Sequence, residues 1–300
     1  MEMIFQYIYE FELGSAYNLM NSQFISSVVG ALTGAFFGAY AAHKIGTNAR
    51  KRELLEAQLR STNVAISSAF LTCNSVLGLK GQHVKSLYED HIAERARFET
   101  TLKNPPASGQ IHFAMDLKTL HMPFVPFDDV LRTIQEQVNV RGRPLALVSA
   151  IQNSLASLRE SLVYRNKLID QFKSNFQRVP EQQKLEIYFG LPLPDGSVNQ
   201  EYPDTLKAIS NYTDDVIFFS SLLCSDLVAH GEKIRAQYRA AFGRHLDKTT
   251  SPDFKTEKAD KLMPDEKEYK DWLTMFQEHP KEQAWLKRVW LLTKPSKRMQ

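Results

Sequence analysis

The chain has 300 residues, of which 43% are hydrophobic and 24% are charged, the composition of a globular protein. Collagen-like, disulfide-scaffold and fully disordered chains are therefore excluded. The net charge of +3 is unevenly distributed: residues 1–43 contain three acidic residues and no Lys or Arg, whereas residues 231–300 contain 16 basic and 11 acidic residues. Because acidic residues interrupt this C-terminal excess, it indicates a solvated surface, and nucleic acid is not expected as a partner.

The first long apolar run extends from Phe24 to Ile45, after a short N-terminal segment, residues 1–23. Its first twenty residues lack Lys, Arg, Asp and Glu, and at about 1.5 Å per residue they can cross the ~30 Å hydrocarbon core of a bilayer. We therefore predict one transmembrane helix over residues 24–45. The alternatives are a buried helix of a soluble core and a cleaved signal peptide, which the long acidic segment before the run disfavours.

Four basic residues predict the orientation of the run, one next to its last residue and three shortly after it: Lys44, Arg50, Lys51 and Arg52. Cytoplasmic flanks of membrane helices carry an excess of Lys and Arg. The span is therefore predicted to cross a bacterial inner membrane with its C-terminal side in the cytoplasm. Residues 1–23 are predicted to lie outside, along the membrane interface.

Small residues recur every fourth position within the run and predict a smooth helical stripe. They are Ser26, Gly30, Gly34, Gly38 and Ala42. Such a stripe lets two helix backbones approach closely, which supplies van der Waals contact within lipid. The pattern predicts self-association of the span into a homo-oligomer, although Gly and Ala are also common in membrane helices generally.

Beyond the membrane, residues 46–246 are predicted to form an elongated antiparallel helical bundle, coiled-coil-like and with at most a minor β element, in a mainly α fold. The first helix continues from the span, with a kink or turn near Gly78 and Gly81. The second begins at Arg143-Pro144, and the third covers residues 204–242.

Two less regular regions separate these helices. Residues 111–118 alternate between apolar and polar side chains, which predicts a strand. Residues 181–191 fit either a strand paired with it or a helix begun by Pro180 and ended by Gly190, and the helix is favoured.

Residues 247–300 are predicted to be a charged linker followed by two short helices that hold all three tryptophans: Trp272, Trp285 and Trp290. These tryptophans have three possible roles. They can pack on the bundle, rest on the membrane surface or bind a partner.

No linear motif for catalysis or metal binding occurs, so no catalytic residue, cofactor or metal ligand is predicted. Cys73 and Cys224 lie in apolar helical stretches and are predicted to be buried free thiols. Asp214 and Asp215 begin an apolar helix segment, where they either cap the segment or pair with Arg165 inside the bundle.

The leading functional prediction is a single-span inner-membrane protein whose cytoplasmic domain is a binding, scaffold or sensing module for an unknown protein partner. The alternative is a membrane-perturbing effector, of the toxin or phage-defence type, triggered through that domain. The third possibility is an enzyme whose active site lies between helices without a linear motif.

Overall fold

A computed structural model describes residues 23–104, 113, 115–254 and 256–276. Within these ranges 78% of the residues are helical and no strand is formed, so the predicted mainly α fold is confirmed at that level. The predicted interfacial segment 1–23 lies almost wholly outside the described residues, as does the end of the chain from residue 277.

The helices of the described residues are α1 (Gln23–Leu79), α2 (Lys85–Lys103), α3 (Phe127–Glu136), α4 (Arg143–Asn175), α5 (Glu181–Phe189), α6 (Glu201–Phe242), α7 (Glu257–Asp260) and α8 (Lys270–Thr274). A π-helical turn, Lys80–Val84, joins α1 to α2. No proline, which would break a helix, occurs between residues 23 and 104. The chain therefore stays helical through Gly81, which lies in the π-helical turn.

Backbone contacts divide the chain into two compact units, and the smaller one contains residues 23–57 and 238–246. In it, Tyr238 Oη donates to Glu56 Oε1 (3.0 Å), which also accepts from Arg52 Nε (2.8 Å). Gly243 ends α6 in the left-handed region (φ 65°), and its N–H donates to the Arg239 carbonyl (2.8 Å). The last turn of α6 is therefore tied to α1 through one shared carboxylate.

The larger unit contains residues 58–237 and 247–276, and its main core combines the apolar faces of α1, α3, α4 and α6. Fully or almost fully buried side chains from these helices include Ile66, Val76, Ile134, Ile151, Leu158, Val216 and Leu223. In each segment the apolar residues recur with the helical period and therefore lie on one face of the helix. The core forms where these apolar faces pack against one another.

Two thiol contacts define the direction of α1 relative to α6 in this unit. Cys73 Sγ donates to the Ile217 carbonyl (3.6 Å), and Cys224 Sγ to the Ile66 carbonyl (3.8 Å). As residue numbers rise along α1 they fall along α6, so these two helices are antiparallel. Both cysteines are buried and free, which confirms the prediction for them.

A second, aromatic core joins α2, α4, α5 and α6. Phe98 of α2 packs against Phe189 of α5, with ring centroids 5.6 Å apart. Tyr202 of α6 lies 4.7 Å from Tyr188 of α5 and 5.4 Å from Phe172 of α4, centroid to centroid. The short helix α5 is therefore held by its aromatic side chains.

Helix α5 resolves the alternative left open for residues 181–191. It begins after Pro180 and ends at Gly190, whose φ of 64° favours glycine. A Cβ at Gly190 would also lie only 2.7 Å from Gln200 Oε1. The favoured helix is confirmed, and the strand alternative is excluded.

The predicted strand at residues 111–118 is not formed in its described part, residues 113 and 115–118, which have no regular secondary structure. Its backbone is instead bound by side chains of α4, as described below. Within the described residues of the charged segment 247–265, the single-turn helix α7 is formed, and the linker stays a prediction.

Candidate functional sites: an exposed apolar segment and a buried polar network

The helical stretch from Ser26 to Lys103 is long and apolar enough to cross a membrane. Its qualifying 18-residue window is half buried, whereas every residue from 26 to 54 is exposed. Because no residue from 26 to 54 is buried, a half-buried window lies in the packed part of α1 after Leu55, and it does not coincide with the predicted span. A core helix passes the same test, so exposure, and not composition, distinguishes the two apolar stretches of α1.

The exposed stretch carries large apolar side chains with no protein cover. Leu32, Phe36 and Ile45 are 67%, 69% and 69% exposed. Burying an apolar side chain of this size stabilises a protein by about 2 kcal/mol. Three such side chains left in water therefore forgo several kcal/mol of stabilisation. A folded soluble chain rarely exposes so many apolar residues in sequence.

The predicted stripe of small residues lies on this exposed part of α1. Ser26, Gly30, Gly34, Gly38 and Ala42 are each one helical turn from the next, and all are exposed. A Cβ added at any of the three glycines would meet no other atom within 4 Å. The stripe is therefore open to a partner helix, and its predicted self-association stays a prediction.

The predicted topology residues follow on the same helix, where Lys44, Arg50, Lys51 and Arg52 are all exposed. Arg52 is tied to Glu56 by the ion pair described above. Because helix α1 is continuous from residue 23 to residue 79, these charges have a fixed spacing from the apolar stretch. The orientation that they predict is not tested by this geometry.

Arg165 is completely buried but has no carboxylate partner among the described residues. Its Nη1 donates to the Lys118 carbonyl (2.7 Å), and its Nη2 donates to the Asp116 carbonyl (3.3 Å) and to Tyr202 Oη (3.2 Å). The neighbouring Asn166 donates to the Leu120 carbonyl (2.7 Å) and accepts from its N–H (3.0 Å). Two consecutive side chains of α4 thus clamp the irregular segment 116–120.

The pairing predicted between Arg165 and the two aspartates is therefore corrected. Asp214 instead forms an ion pair with Lys80, which also donates to the Leu262 carbonyl (2.8 Å). Asp215 accepts from Tyr269 Oη (3.0 Å). The physical reason is that the Asp116 and Lys118 carbonyls and the Tyr202 hydroxyl accept from the two terminal nitrogens of the guanidinium, while its Nε has no partner among the described residues.

Asp214 and Asp215 line a cleft of about 460 Å³ that also includes Asp204 and Glu268. Partial burial raises the pKa of Asp215, and the nearby Asp214 and Glu268 carboxylates raise it further, against the hydrogen bond from Tyr269. Within the described residues no group of three or more His, Cys, Asp or Glu side chains is placed to hold a metal ion.

His91 of α2 is a functional candidate that was not predicted from the sequence, because its charged neighbours Glu89, Asp90 and Glu94 are typical of a solvated helix face. It is only 6% exposed, and neither ring nitrogen has a partner among the described residues. The rings of Tyr188, Phe189 and Tyr202 surround it at centroid distances of 5.2, 5.4 and 5.7 Å. Burial, with help from Arg95 and Arg165, lowers its pKa to about 4.

This buried imidazole is expected to make the fold sensitive to acid. The pKa of His91 is about 4 in the folded chain and 6.5 ordinarily, so the unfolded chain binds a proton at this position more readily. The contribution of the neutral imidazole to stability is therefore complete above pH 6.5 and is lost as the pH falls towards 4. The free energy of unfolding is expected to fall by roughly 3 kcal/mol over that range. Urea unfolding of the detergent-purified chain at pH 7, 5.5 and 4.5 measures it.

The matched variants are His91→Phe, which fits the aromatic surroundings without titrating, and His121→Gln, on the exposed His121. His91→Phe is expected to weaken the pH dependence, of which His230 keeps a part because burial lowers its pKa too, whereas His121→Gln keeps the full dependence. An unchanged slope in His91→Phe would contradict the assignment.

Of the three tryptophans, Trp272 lies within the described residues. Its ring is 4.9 Å from that of Phe219 and 4.7 Å from that of Phe276, centroid to centroid, at the edge of the main core. This contact favours the interpretation in which Trp272 packs back on the helices. Trp285 and Trp290 lie outside the described residues.

The fold and these sites define a class: a mainly helical protein with one helix near the N-terminus that is long and apolar enough to span a membrane. Comparison with known proteins does not narrow the class further, because no family model, curated protein or solved structure matches the chain.

Proposed function

We propose that the protein is a single-span protein of the bacterial inner membrane, anchored by residues 24–45, with an antiparallel helical bundle in the cytoplasm that acts as a binding, scaffold or sensing module. One observation carries the anchor: residues 26–54 of α1 are all exposed, whereas the same helix begins to bury side chains at Leu55. The hydrocarbon core of a lipid bilayer is the environment in which exposed apolar side chains on a helix of this length are stable.

Four polar side chains of the larger unit support binding over catalysis. Arg165 and Asn166 donate hydrogen bonds to backbone carbonyls of the segment 116–120. Asp214 pairs with Lys80, and Asp215 accepts a hydrogen bond from Tyr269. A catalytic group needs to be free to reach a substrate, whereas these groups fix the packing of their own chain.

A groove between α4 and α6 offers a surface for a partner. It has a volume of about 780 Å³ and is lined by Val163 and Tyr164 together with charged side chains of both helices. Val163 is 65% exposed. We expect a partner to cover this exposed apolar side chain, with the charged side chains around it forming polar contacts.

Cysteine labelling in intact cells tests the anchor and its orientation. The native thiols are suitable as a silent background, because Cys73 and Cys224 are buried and burial raises the pKa of Cys224 to about 12. Two single variants place a reporter on either side of the span: Ser22→Cys, and Ser149→Cys on the exposed face of α4.

A membrane-impermeant maleimide is expected to label Ser22→Cys in intact spheroplasts and Ser149→Cys only after lysis. Labelling of Ser149→Cys before lysis would invert the proposed topology. Equal labelling of both variants in a soluble fraction would contradict the anchor itself.

Self-association is expected to depend on the open stripe. Gly34→Ile places a branched side chain where a partner backbone would approach, so the association signal of the full chain in a membrane reporter is expected to fall to background. Phe36→Ile is the matched control, because two residues turn the helix by about 200° and place the change on the opposite face.

An unchanged signal in Gly34→Ile would contradict this use of the stripe. Expression in cells loaded with a membrane-potential dye separates the alternative class. Depolarisation that requires Gly30, Gly34 and Gly38 would assign the protein to the membrane-perturbing effectors instead.

A further inference from the structure

The junction between the exposed apolar stretch and the last turn of α6 carries a concentration of positive charge. Residues 43–57 and 238–246 of the smaller unit together contain six Lys or Arg residues and two Glu residues. The six are Lys44, Arg50, Lys51, Arg52, Arg239 and Arg244, called here the basic collar. All six are exposed.

The collar brings together charges that are far apart in sequence. Tyr238 Oη donates to Glu56 Oε1, so α6 reaches α1 about one turn below Arg52. α6 then ends at Phe242, and the left-handed Gly243 turns the chain just before Arg244. The end of α6 therefore adds Arg239 and Arg244 to the four basic residues that α1 carries.

In the part of the chain that the structure describes, Arg52 is the one collar member with an ion-pair partner. Arg52 pairs with Glu56, whereas within the described residues the other five form no ion pair. Salt bridges elsewhere on the surface join oppositely charged residues one turn apart, as in Arg95–Glu99 and Lys261–Glu257. The collar instead leaves a net positive charge exposed on both of its helices.

The spacing of these charges matches the headgroup region of a bilayer. From Ile45, the end of the proposed span, to Arg52 is seven residues, or about 10 Å of helix. The interfacial layer on each side of the hydrocarbon is roughly 5–8 Å thick. The Debye length at physiological salt adds about 8 Å, so Arg50, Lys51 and Arg52 lie within reach of lipid phosphates.

We propose that the basic collar binds the phosphate headgroups of anionic phospholipids in the leaflet that faces the cytoplasmic domain. The proposal rests on the proposed membrane anchor and names a ligand for it. Basic residues beside a span attract anionic lipids, and each contributes about a fivefold preference.

Lipid selectivity of the full chain in neutral detergent tests the proposal. The protein is incubated with equal amounts of phosphatidylglycerol and phosphatidylcholine, is repurified, and the lipids retained per chain are counted. The test variant is the triple Arg50→Gln, Lys51→Gln, Arg239→Gln, which leaves the Arg52–Glu56–Tyr238 contact intact. The control triple is Arg159→Gln, Lys167→Gln, Lys173→Gln, at exposed positions of α4 with the same change in charge.

The wild type and the control triple are expected to retain phosphatidylglycerol at least about fivefold over phosphatidylcholine, with the preference lost in 0.5 M salt. The collar triple, which keeps Lys44, Arg52 and Arg244, is expected to show a preference at least about fivefold smaller than that of the wild type. Equal retention by the wild type, or an undiminished preference in the collar triple, overturns the proposal. So does displacement of the lipid by a 20-nucleotide RNA at equimolar concentration, which assigns the collar to nucleic acid.

Membrane extraction of the same proteins separates this inference from the anchor. If the collar triple keeps its lipid preference while remaining membrane-integral, the lipid proposal alone fails. If the wild type is itself not membrane-integral, the proposed function fails first.

Discussion

Replacing Arg165 with methionine is expected to lower the free energy of unfolding by about 3 kcal/mol. The substitution removes three hydrogen bonds of a completely buried side chain, to the part-buried carbonyls of Asp116 and Lys118 and to the buried Tyr202 Oη. Replacing a whole buried ion pair with apolar residues is often harmless. Here only the donor is removed, and its backbone acceptors stay.

Urea unfolding of the detergent-purified chain, followed by far-ultraviolet circular dichroism, measures this loss. The matched control is Arg159→Met, an exposed position almost two turns earlier on the same helix, expected to change stability by less than about 0.5 kcal/mol. The segment 116–120 is also expected to become sensitive to proteases in Arg165→Met, because the clamp on it is lost. Wild-type stability in Arg165→Met would contradict the structural role given to the guanidinium.

The double substitution Leu32→Arg, Phe36→Arg is expected to release most of the protein from the membrane. Both positions lie at the centre of the proposed span, where each arginine opposes insertion by about 3 kcal/mol. Their side chains are 67% and 69% exposed and support no packing, so the helical domain is expected to fold normally. Flotation of cell membranes in a density gradient gives the fraction that remains bound.

The control for this prediction is Leu145→Arg, Val163→Arg, which adds the same charge at two exposed apolar positions of α4. That variant is expected to float with the membranes like the wild type. Equal flotation of both double variants would contradict the placement of the span.

Local signals in the sequence were sufficient to place the helices. Pro144 lies at the start of α4 beside Gly142, whose φ is 73°, and Gly190 ends α5 in the left-handed region, as residues of these types do. The apolar repeats also indicated which faces are buried, from Ile66 in α1 to Leu223 in α6. These features depend on residues within a few turns of one another.

Partners that are distant in sequence were not predictable in the same way. The alternation at residues 111–118 suggested a strand, but a strand needs a neighbour, and Arg165 and Asn166 bind this backbone instead. The pairing of Arg165 with Asp214 failed for the same reason. The charge of a side chain predicts the kind of partner that it binds. The packing of the helices determines which acceptor lies within hydrogen-bond distance.

The candidate sites were partly visible in sequence. The apolar run, the small-residue stripe and the basic residues at 44–52 stood out because each lies within one segment. The contribution of Arg239 and Arg244 to the collar did not, because it requires the Tyr238–Glu56 contact. The same applies to His91, whose aromatic surroundings come from α5 and α6.

Alkaline carbonate extraction of membranes that contain the full chain tests the central claim most directly. Carbonate at high pH strips peripheral proteins and leaves integral ones in the pellet. The chain is expected to remain in the pellet and to be released by detergent, because residues 24–45 lie across the bilayer. Recovery of the chain in the carbonate supernatant would contradict the anchor, and with it the explanation of the exposed apolar stretch.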